Sequence, residues 1–460
     1  MSLLLHVLVI SILAGFGFGL GYRRAWSASG GHRADLHSLP AYHGLWVALW
    51  TFLPAFFFVQ GALLLEGPLV EWLLRRSMAE SGFGSSMQEL SLALARVRAM
   101  AADLTLFDEV DSAERAAVET LTRLRDLTGA WIDALTPAVA VSGLGYAFLR
   151  VSPAFRARNR SERIIMGLLL LCSLVAILTT AGIVFALLSE ALQFFRVVSP
   201  IDFFLGLSWS PQTAIRAGQV AADGAFGVVP VLLGTVLISL IAMCVAAPIG
   251  LFSAIYTAEL ADPRVRGIAK PTIEILAGIP TVVYGFFAAA TVAPQVRRLG
   301  HALGLDVSSE SALAAGSVMG IMIIPFVSSL SDDVIKTVPD RLREGAYSLG
   351  ATRAETILRV VLPAALPGLL SAMVLAVSRA LGETMIVVMA AGVFANLTLN
   401  PFEAVTTVTV QITSVLTGDQ PFDSPTTLSA FALGLTLFFA TLLLNLFALR
   451  VMERYRERYD

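Results

Sequence analysis

Several apolar runs of about 18 or more residues constrain this chain more than any other feature of its sequence. A run of that length crosses a hydrocarbon core of about 30 Å as a helix. In lipid only helices and closed barrels satisfy every backbone polar group, and runs this continuously apolar mean helices. A chain of 460 residues has room for two or three soluble domains, but 56% of these are hydrophobic and only 14% charged. A soluble domain carries about 25% charge, so this chain cannot cover itself with a polar surface. The expected fold class is an all-α polytopic membrane protein.

Nine spans are expected, at 3–20, 44–65, 129–149, 164–188, 227–257, 273–294, 312–331, 366–392 and 427–450. The run at 227–257 exceeds one crossing and is expected to continue into solvent or to kink at Pro248. The span at 129–149 is the weakest, because it holds Asp133 and Pro137. Basic residues assign the sides. Arg23, Arg24 and Arg33 follow the first span, and Arg150, Arg156, Arg158, Arg160 and Arg163 separate the third from the fourth. Arg264, Arg266 and Lys270 follow the fifth, and Arg450, Arg454, Arg456 and Arg458 follow the ninth. All of these are cytoplasmic if the N-terminus lies outside, and Arg297 and Arg298 are the wrong-sided pair. The first run has no Lys or Arg before it, which suits a retained helix rather than a cleaved signal.

Residues 66–128 differ in character. Ser86–Glu89 and Asp111–Glu114 both fit capping boxes that open helices. Leu90, Val97, Leu104 and Phe107 form an apolar stripe on the first helix, and Val118, Leu121 and Leu124 on the second. The expectation is a helical hairpin that packs on itself or its neighbours, with a docking surface for a partner as the alternative.

Net charge is −2, so a basic nucleic-acid footprint is absent. The two lysines, Lys270 and Lys336, lie in no phosphate-cradling G-x-x-x-x-G-K-[ST] loop. No hydrolytic site is therefore expected in this chain, no cofactor is expected to bind it, and no catalytic residue is assigned. Cys172 and Cys244 sit inside apolar runs and suit packing better than a disulfide or metal site. No His/Glu pair has the spacing of a zinc protease, and no metal ligand is assigned.

Residues 332–365 interrupt the apolar pattern between the seventh and eighth spans. Pro339 fits the start of a helix over about 340–348, with Gly350 as its left-handed terminator. Thr352 then caps a second helix, with Glu355 at the capping-box position and Pro363 as the expected stop. Glu344, Gly345 and Ala346, then Gly350, Leu362 and Pro363, follow the E-A-A-x3-G-x9-I-x-L-P pattern. That loop resembles the coupling loop of ABC-importer permeases, with Gly345 for the first Ala and Val360 for the Ile. The stretch from Pro271 through Gly285, and Arg379-Ala380-Leu381-Gly382-Glu383-Thr384, are similar to segments of permeases of the Pst phosphate importers. The continuation Met385–Ala390 is closer to the PstC branch than to PstA. The resemblance covers about 160–460.

The resemblance implies a six-helix permease core of the type I importer kind at 161–460, with 1–160 an extension of about three further spans. It implies inward movement of inorganic phosphate across the bacterial inner membrane. It also implies a second permease subunit (PstA-like), ATPase subunits (PstB-like) where ATP and Mg act, and a periplasmic phosphate-binding protein (PstS-like). Glu344, Gly345, Ala346, Gly350, Leu362 and Pro363 are the residues it assigns to coupling with the ATPase.

A substrate pathway is also legible from the residues themselves. Arg379 lies about twelve residues into the eighth expected span, roughly 18 Å along it, near the bilayer midplane. An ionisable residue there is costly and marks a functional site by default, and an always-charged guanidinium suits an oxyanion. Glu383, four residues on, is expected on the same helix face, where it neutralises Arg379. The alternative for the pair is a structural ion pair between helices. Thr281 and Tyr284, past the Gly278–Pro280 break, offer hydroxyls to the same pathway, with packing as their alternative. Gly285 and Gly382 are expected to permit close helix approach. Glu259, Glu274, Asp332 and Asp333 are expected to stay solvated near cytoplasmic ends. The rival functions are a permease for sulfate or molybdate, a secondary transporter, and a phosphate-sensing signalling protein. Against the secondary transporter stand the coupling loop and the shortage of intramembrane carboxylates.

Overall fold

The computed structural model describes residues 3–80, 87–102, 112–211, 224–418 and 421–455. The chain divides into two compact units, Met1–Ile177 and Leu178–Asp460. Eight described helices are long and apolar enough to cross a membrane, and nine if the bent pair Pro263–Ala277 and Thr281–Ala302 counts as one span.

The first unit holds α1 (Leu3–Ala28), α2 (Pro40–Glu80), α3 (Met87–Ala102), α4 (Ser112–Leu149) and the start of α5 (Ala157–Val197). Helix α1 buries His6, Ile10, Ala14, Gly17, Gly21 and Ala25. Steps of three and four residues place these on one stripe, while Leu4, Leu8, Ile12 and Phe16 point outward, as lipid-facing residues do. At Gly21 a Cβ would come 2.8 Å from the His43 carbonyl oxygen. Only glycine lets α1 and α2 approach so closely.

Helix α2 does not stop at the far side of the expected second span. It runs unbroken for 41 residues through Pro54 and Pro68, roughly 60 Å at 1.5 Å per residue. The expected third span is likewise the second half of the 38-residue α4. Asp133 sits within it 2.9 Å from His6 Nε2 on α1, so the carboxylate is paired across helices. Leu94, Val97 and Met100 of α3 and Ala117, Val118 and Leu121 of α4 close over Val70, Leu74 and Met78 at the end of α2. Leu124 packs on the edge of the same cluster. Val97, Val118, Leu121 and Leu124 of the expected stripes are thus covered within this unit. The expected capping boxes starting at Ser86 and Asp111, with Leu104 and Phe107, lie outside the described residues.

The second unit continues from the end of α5 through α6 (Pro200–Leu205) and a two-stranded antiparallel ribbon, β1 (Trp209–Ser210) with β2 (Ala225–Phe226). Then come α7 (Val229–Ile255), α8 (Pro263–Ala277), α9 (Thr281–Phe287), α10 (Ala293–Ala302), α11 (Ala312–Thr337), α12 (Asp340–Ser348) and α13 (Arg353–Thr356). Helices α14 (Leu362–Leu381), α15 (Met385–Ala390), α16 (Val408–Leu416) and α17 (Pro425–Tyr455) complete it. Helix α11 is the axis of the core. Its Ala315, Met319, Met322 and Ile323 pack with Ile238 and Ala242 of α7, Ala376 and Ala380 of α14, and Ile386 and Val387 of α15. An aromatic cluster of Phe194, Phe203, Trp209 and Phe226 closes one end, where α5, α6 and the ribbon meet α7.

Three expected elements take a different form. The sixth span is not straight: α8 and the helix resuming at Thr281 meet at 85°, because Pro280 lacks an N–H and disfavours helical geometry at Ile279. The α8 limb of the bent pair buries no residue of its own. The eighth span ends early, since α14 stops at Leu381 with Gly382 as its cap. Pro363 does not end a helix either. Arg353–Leu381 runs as one span, and a wide π turn at Ile357–Val361 takes up the proline ring that follows it.

Candidate functional site

The segment between α11 and α13 forms a compact helical corner. Pro339 precedes α12 with extended backbone, and Gly350 ends it at φ +87°, in the left-handed region. The Ala351 N–H bonds the Ala346 carbonyl at 3.1 Å and the Gly350 N–H bonds that of Tyr347 at 2.9 Å. Those are the two bonds of a Schellman termination. Thr352 and Glu355 form a complete capping box at the start of α13. On α12, Glu344 and Gly345 are exposed and Ala346 is buried. The helix end presents Tyr347, 43% exposed, and Leu349, 91% exposed. A Cβ on Gly345 would meet nothing within 4 Å, so its departure from Ala is sterically silent here. Leu362 and Pro363 lie across the π turn, with Leu362 packed on the apolar seat of Ala254, Ile335, Val338 and Val361 that also receives Leu342 of α12.

Charged contacts lock this corner to its surroundings, and the sequence reading missed them. Arg343 on α12 donates from Nη2 to Glu259 Oε1 at 2.7 Å and to the Ile335 carbonyl at 2.9 Å. Its Nη1 donates to the Val338 carbonyl at 2.6 Å and to Asp340 at 3.0 Å. One guanidinium therefore ties α12 to the end of α11 and to the π turn Tyr256–Leu260 that prolongs α7. The hydrogen bonds from Arg343 to Glu259 hold the guanidinium pKa above its ordinary value. Beside it, Asp332 of α11 is buried and receives Lys270 of α8 at 3.0 Å, Lys336 one turn on, and Arg266 at 3.7 Å. Both lysines of the chain thus converge on one carboxylate. Glu259 and Asp332 are not solvated, contrary to expectation: each sits against cations, which offset the cost of burial. Asp333 and Glu274 are exposed. The i, i+4 spacing of Asp332 and Lys336 was the sequence signal available for this cluster; Glu259 and Arg343, 84 residues apart, gave none.

Within the core, the residues expected to line the pathway take up different positions. Tyr284 is buried and its hydroxyl donates to the Leu276 carbonyl at 2.9 Å, which staples the end of α8 to α9 across the bend. Thr281 is half-buried at the first position of α9. Gly285 seats α9 against α15: a Cβ there would fall 2.8 Å from Met389 Sδ and 3.1 Å from the Met385 carbonyl. Among the described residues a Cβ on Gly382 would meet only the carbonyls of its own last turn, and Gly382 serves instead to end α14. Arg379 lies in the last turn of α14 and Glu383 beyond that helix, so the expected i, i+4 pairing on one face does not form. The Glu383 carboxylate accepts the backbone N–H of Met385 at 3.1 Å and of Ile386 at 3.4 Å. Arg379 is exposed, with the Phe326 ring 6.0 Å from its guanidinium carbon.

Comparison with known proteins places this architecture. Residues 246–459 match the family described as binding-protein-dependent transport system inner membrane component. Residues 7–179 match one described as phosphate ATP-binding cassette transporter. A probable ABC transporter permease protein, YqgH of Bacillus subtilis, is 35% identical over 268 residues, 58% of this chain and 82% of that protein. The phosphate transport system permease protein PstC 1 of Mycobacterium tuberculosis is 32% identical over 279 residues, 55% of this chain and 82% of its own. PstC of Mesorhizobium japonicum is 33% identical over 272 residues, 56% and 80% of the two chains. The helical architecture and these matches together show that the chain belongs to the PstC-type permease family of ABC importers, multi-pass components of the bacterial inner membrane.

Proposed function

We propose that this chain moves inorganic phosphate into the cytoplasm as one of two permease subunits of an ATP-driven importer. The observation that carries the reading is Arg379, an exposed guanidinium at a helix break in the core, without an ion-pair partner among the described residues. A full charge placed there requires water, an anion or a facing chain. Its five donors match the oxygens of a phosphate, and the PstC relatives carry phosphate transport in their names. A PstA-like permease supplies the facing half of the pathway. A PstS-like periplasmic protein delivers the anion, and PstB-like ATPases, where ATP and Mg act, seat against the exposed Tyr347–Leu349 end of α12. The transport machinery is assigned to 161–460.

Radiolabelled phosphate uptake tests this in cells lacking their own phosphate permease, complemented with this chain and its partner subunits. Saturable uptake that excess sulfate or molybdate leaves unchanged, and that Arg379→Ala abolishes, is expected. Uptake of sulfate or molybdate in place of phosphate would overturn the substrate. Unimpaired phosphate uptake with Arg379→Ala would overturn the assignment of Arg379.

A further inference from the structure

Helix α8 is held to its neighbours by polar contacts rather than by burial. It buries no residue, yet its far end passes through the 85° bend into α9, which packs on α15. Its near end follows the π turn carrying Glu259, three residues before the Asp262 cap of α8. Glu259 is the carboxylate that Arg343 of α12 holds. A continuous series of contacts therefore leads from α12 to the start of α15. It runs through Arg343 to Glu259, along α8, through the Tyr284 hydroxyl on the Leu276 carbonyl, and over Gly285 onto Met385 and Met389. Asp332 steadies α8 from the side through Lys270 and Arg266.

We propose that Arg343 is a positioning residue, the joint through which displacement of α12 by the ATPase is passed to α8 and so to the bend beside the pathway. This inference rests on the coupling reading of α12 given above. Two features separate a joint from an ordinary contact. Arg343 bonds three elements at once, the π turn after α7, the end of α11 and α12 itself, so none can move without changing its geometry. It is also not what seats α12, because Leu342 packs that helix on the apolar cluster around Ile335 and Val361. A lysine cannot take its place, since a single ammonium lacks the planar fork that reaches a carboxylate and two carbonyls together.

The test uses the complete importer, with both permeases, the ATPases and the binding protein, in proteoliposomes. ATP hydrolysed per anion imported is compared for the wild type, Arg343→Lys and the doubly neutral Arg343→Gln/Glu259→Gln. The double variant avoids leaving one buried charge unpaired. Retained ATPase subunits and continued hydrolysis, with at least a tenfold rise in ATP used per anion in both variants, are expected. Import and hydrolysis falling together, in proportion to surviving assembled complex, would reduce Arg343 to a fold contact and overturn the proposal, as would an unchanged ratio. A wild-type complex that imports sulfate or molybdate instead of phosphate overturns the substrate alone. The same ratio is then read with that anion and decides the joint independently.

Discussion

Glu383 turns its carboxylate onto the backbone N–H of Met385, at 3.1 Å, and leaves Arg379 without an ion-pair partner among the described residues. The two residues are four positions apart in sequence and make no ion pair with each other. Glu383 shapes the start of α15, and Arg379 stays exposed at the end of α14.

Their independence is measurable. A double-mutant cycle with Arg379→Gln and Glu383→Gln should show a coupling of less than about 0.5 kcal/mol in complex stability. Glu383→Gln keeps an acceptor oxygen and should be milder than Glu383→Ala, which loses a cap worth about 1 kcal/mol. A coupling above about 1 kcal/mol would restore the ion pair and refute this arrangement.

Gly350 terminates α12 at φ +87°. Gly350→Val should strain the turn by about 1–2 kcal/mol and displace the Schellman bonds, lowering import more than tenfold with the chain still inserted in the membrane. Gly350→Asn, which tolerates left-handed geometry, should retain most activity. Co-purification of the ATPase with each variant reads the difference, and equal behaviour of Asn and Val would argue against a conformational role.

At the bend, Tyr284→Phe removes the hydroxyl from the Leu276 carbonyl at a cost of about 1 kcal/mol. Gly285→Val should cost more, because its side chain enters the space of Met389 and the Met385 backbone. Thermal unfolding of the purified complex should rank the variants in that order, and a neutral Gly285→Val would contradict the close approach of α9 to α15.

Asp332 is 2% exposed and faces three cations. Asp332→Ala should destabilise by about 3–5 kcal/mol, because it strands like charges at a partly dry site. Asp333→Ala, on an exposed neighbour, should fall within about 0.5 kcal/mol of wild type. Unfolding midpoints that place the two together would show the cluster to be solvated.

The Arg343 pKa is raised, chiefly by its hydrogen bonds to Glu259. A group with a raised pKa contributes stability that is complete below its unfolded value and is lost only as pH climbs through the folded one. For arginine that window opens above about pH 12. The difference in unfolding midpoint between wild type and Arg343→Gln/Glu259→Gln should therefore be the same at about pH 7.5 and about pH 9.5. A difference that shrinks over that range would mean the pair is not what sets it.

Sequence alone determined the membrane class, the approximate spans and the coupling corner, because each rests on local chemistry. Apolar length fixes a crossing, a glycine at the end of a helix fixes a left-handed turn, and Thr352 with Glu355 fixes a cap. Tertiary structure decided what depends on distant partners or on where a helix breaks. The apolar pattern of 366–392 reads the same whether the helix continues or stops at Leu381, since hydrophobicity does not register a change of direction. Asp133 looks costly until His6, 127 positions earlier, is brought to 2.9 Å from it. Glu259 and Arg343 meet only because the ends of α7, α11 and α12 share one apolar seat. Charge pairing across such separations follows from the fold, so no spacing in the chain could announce it.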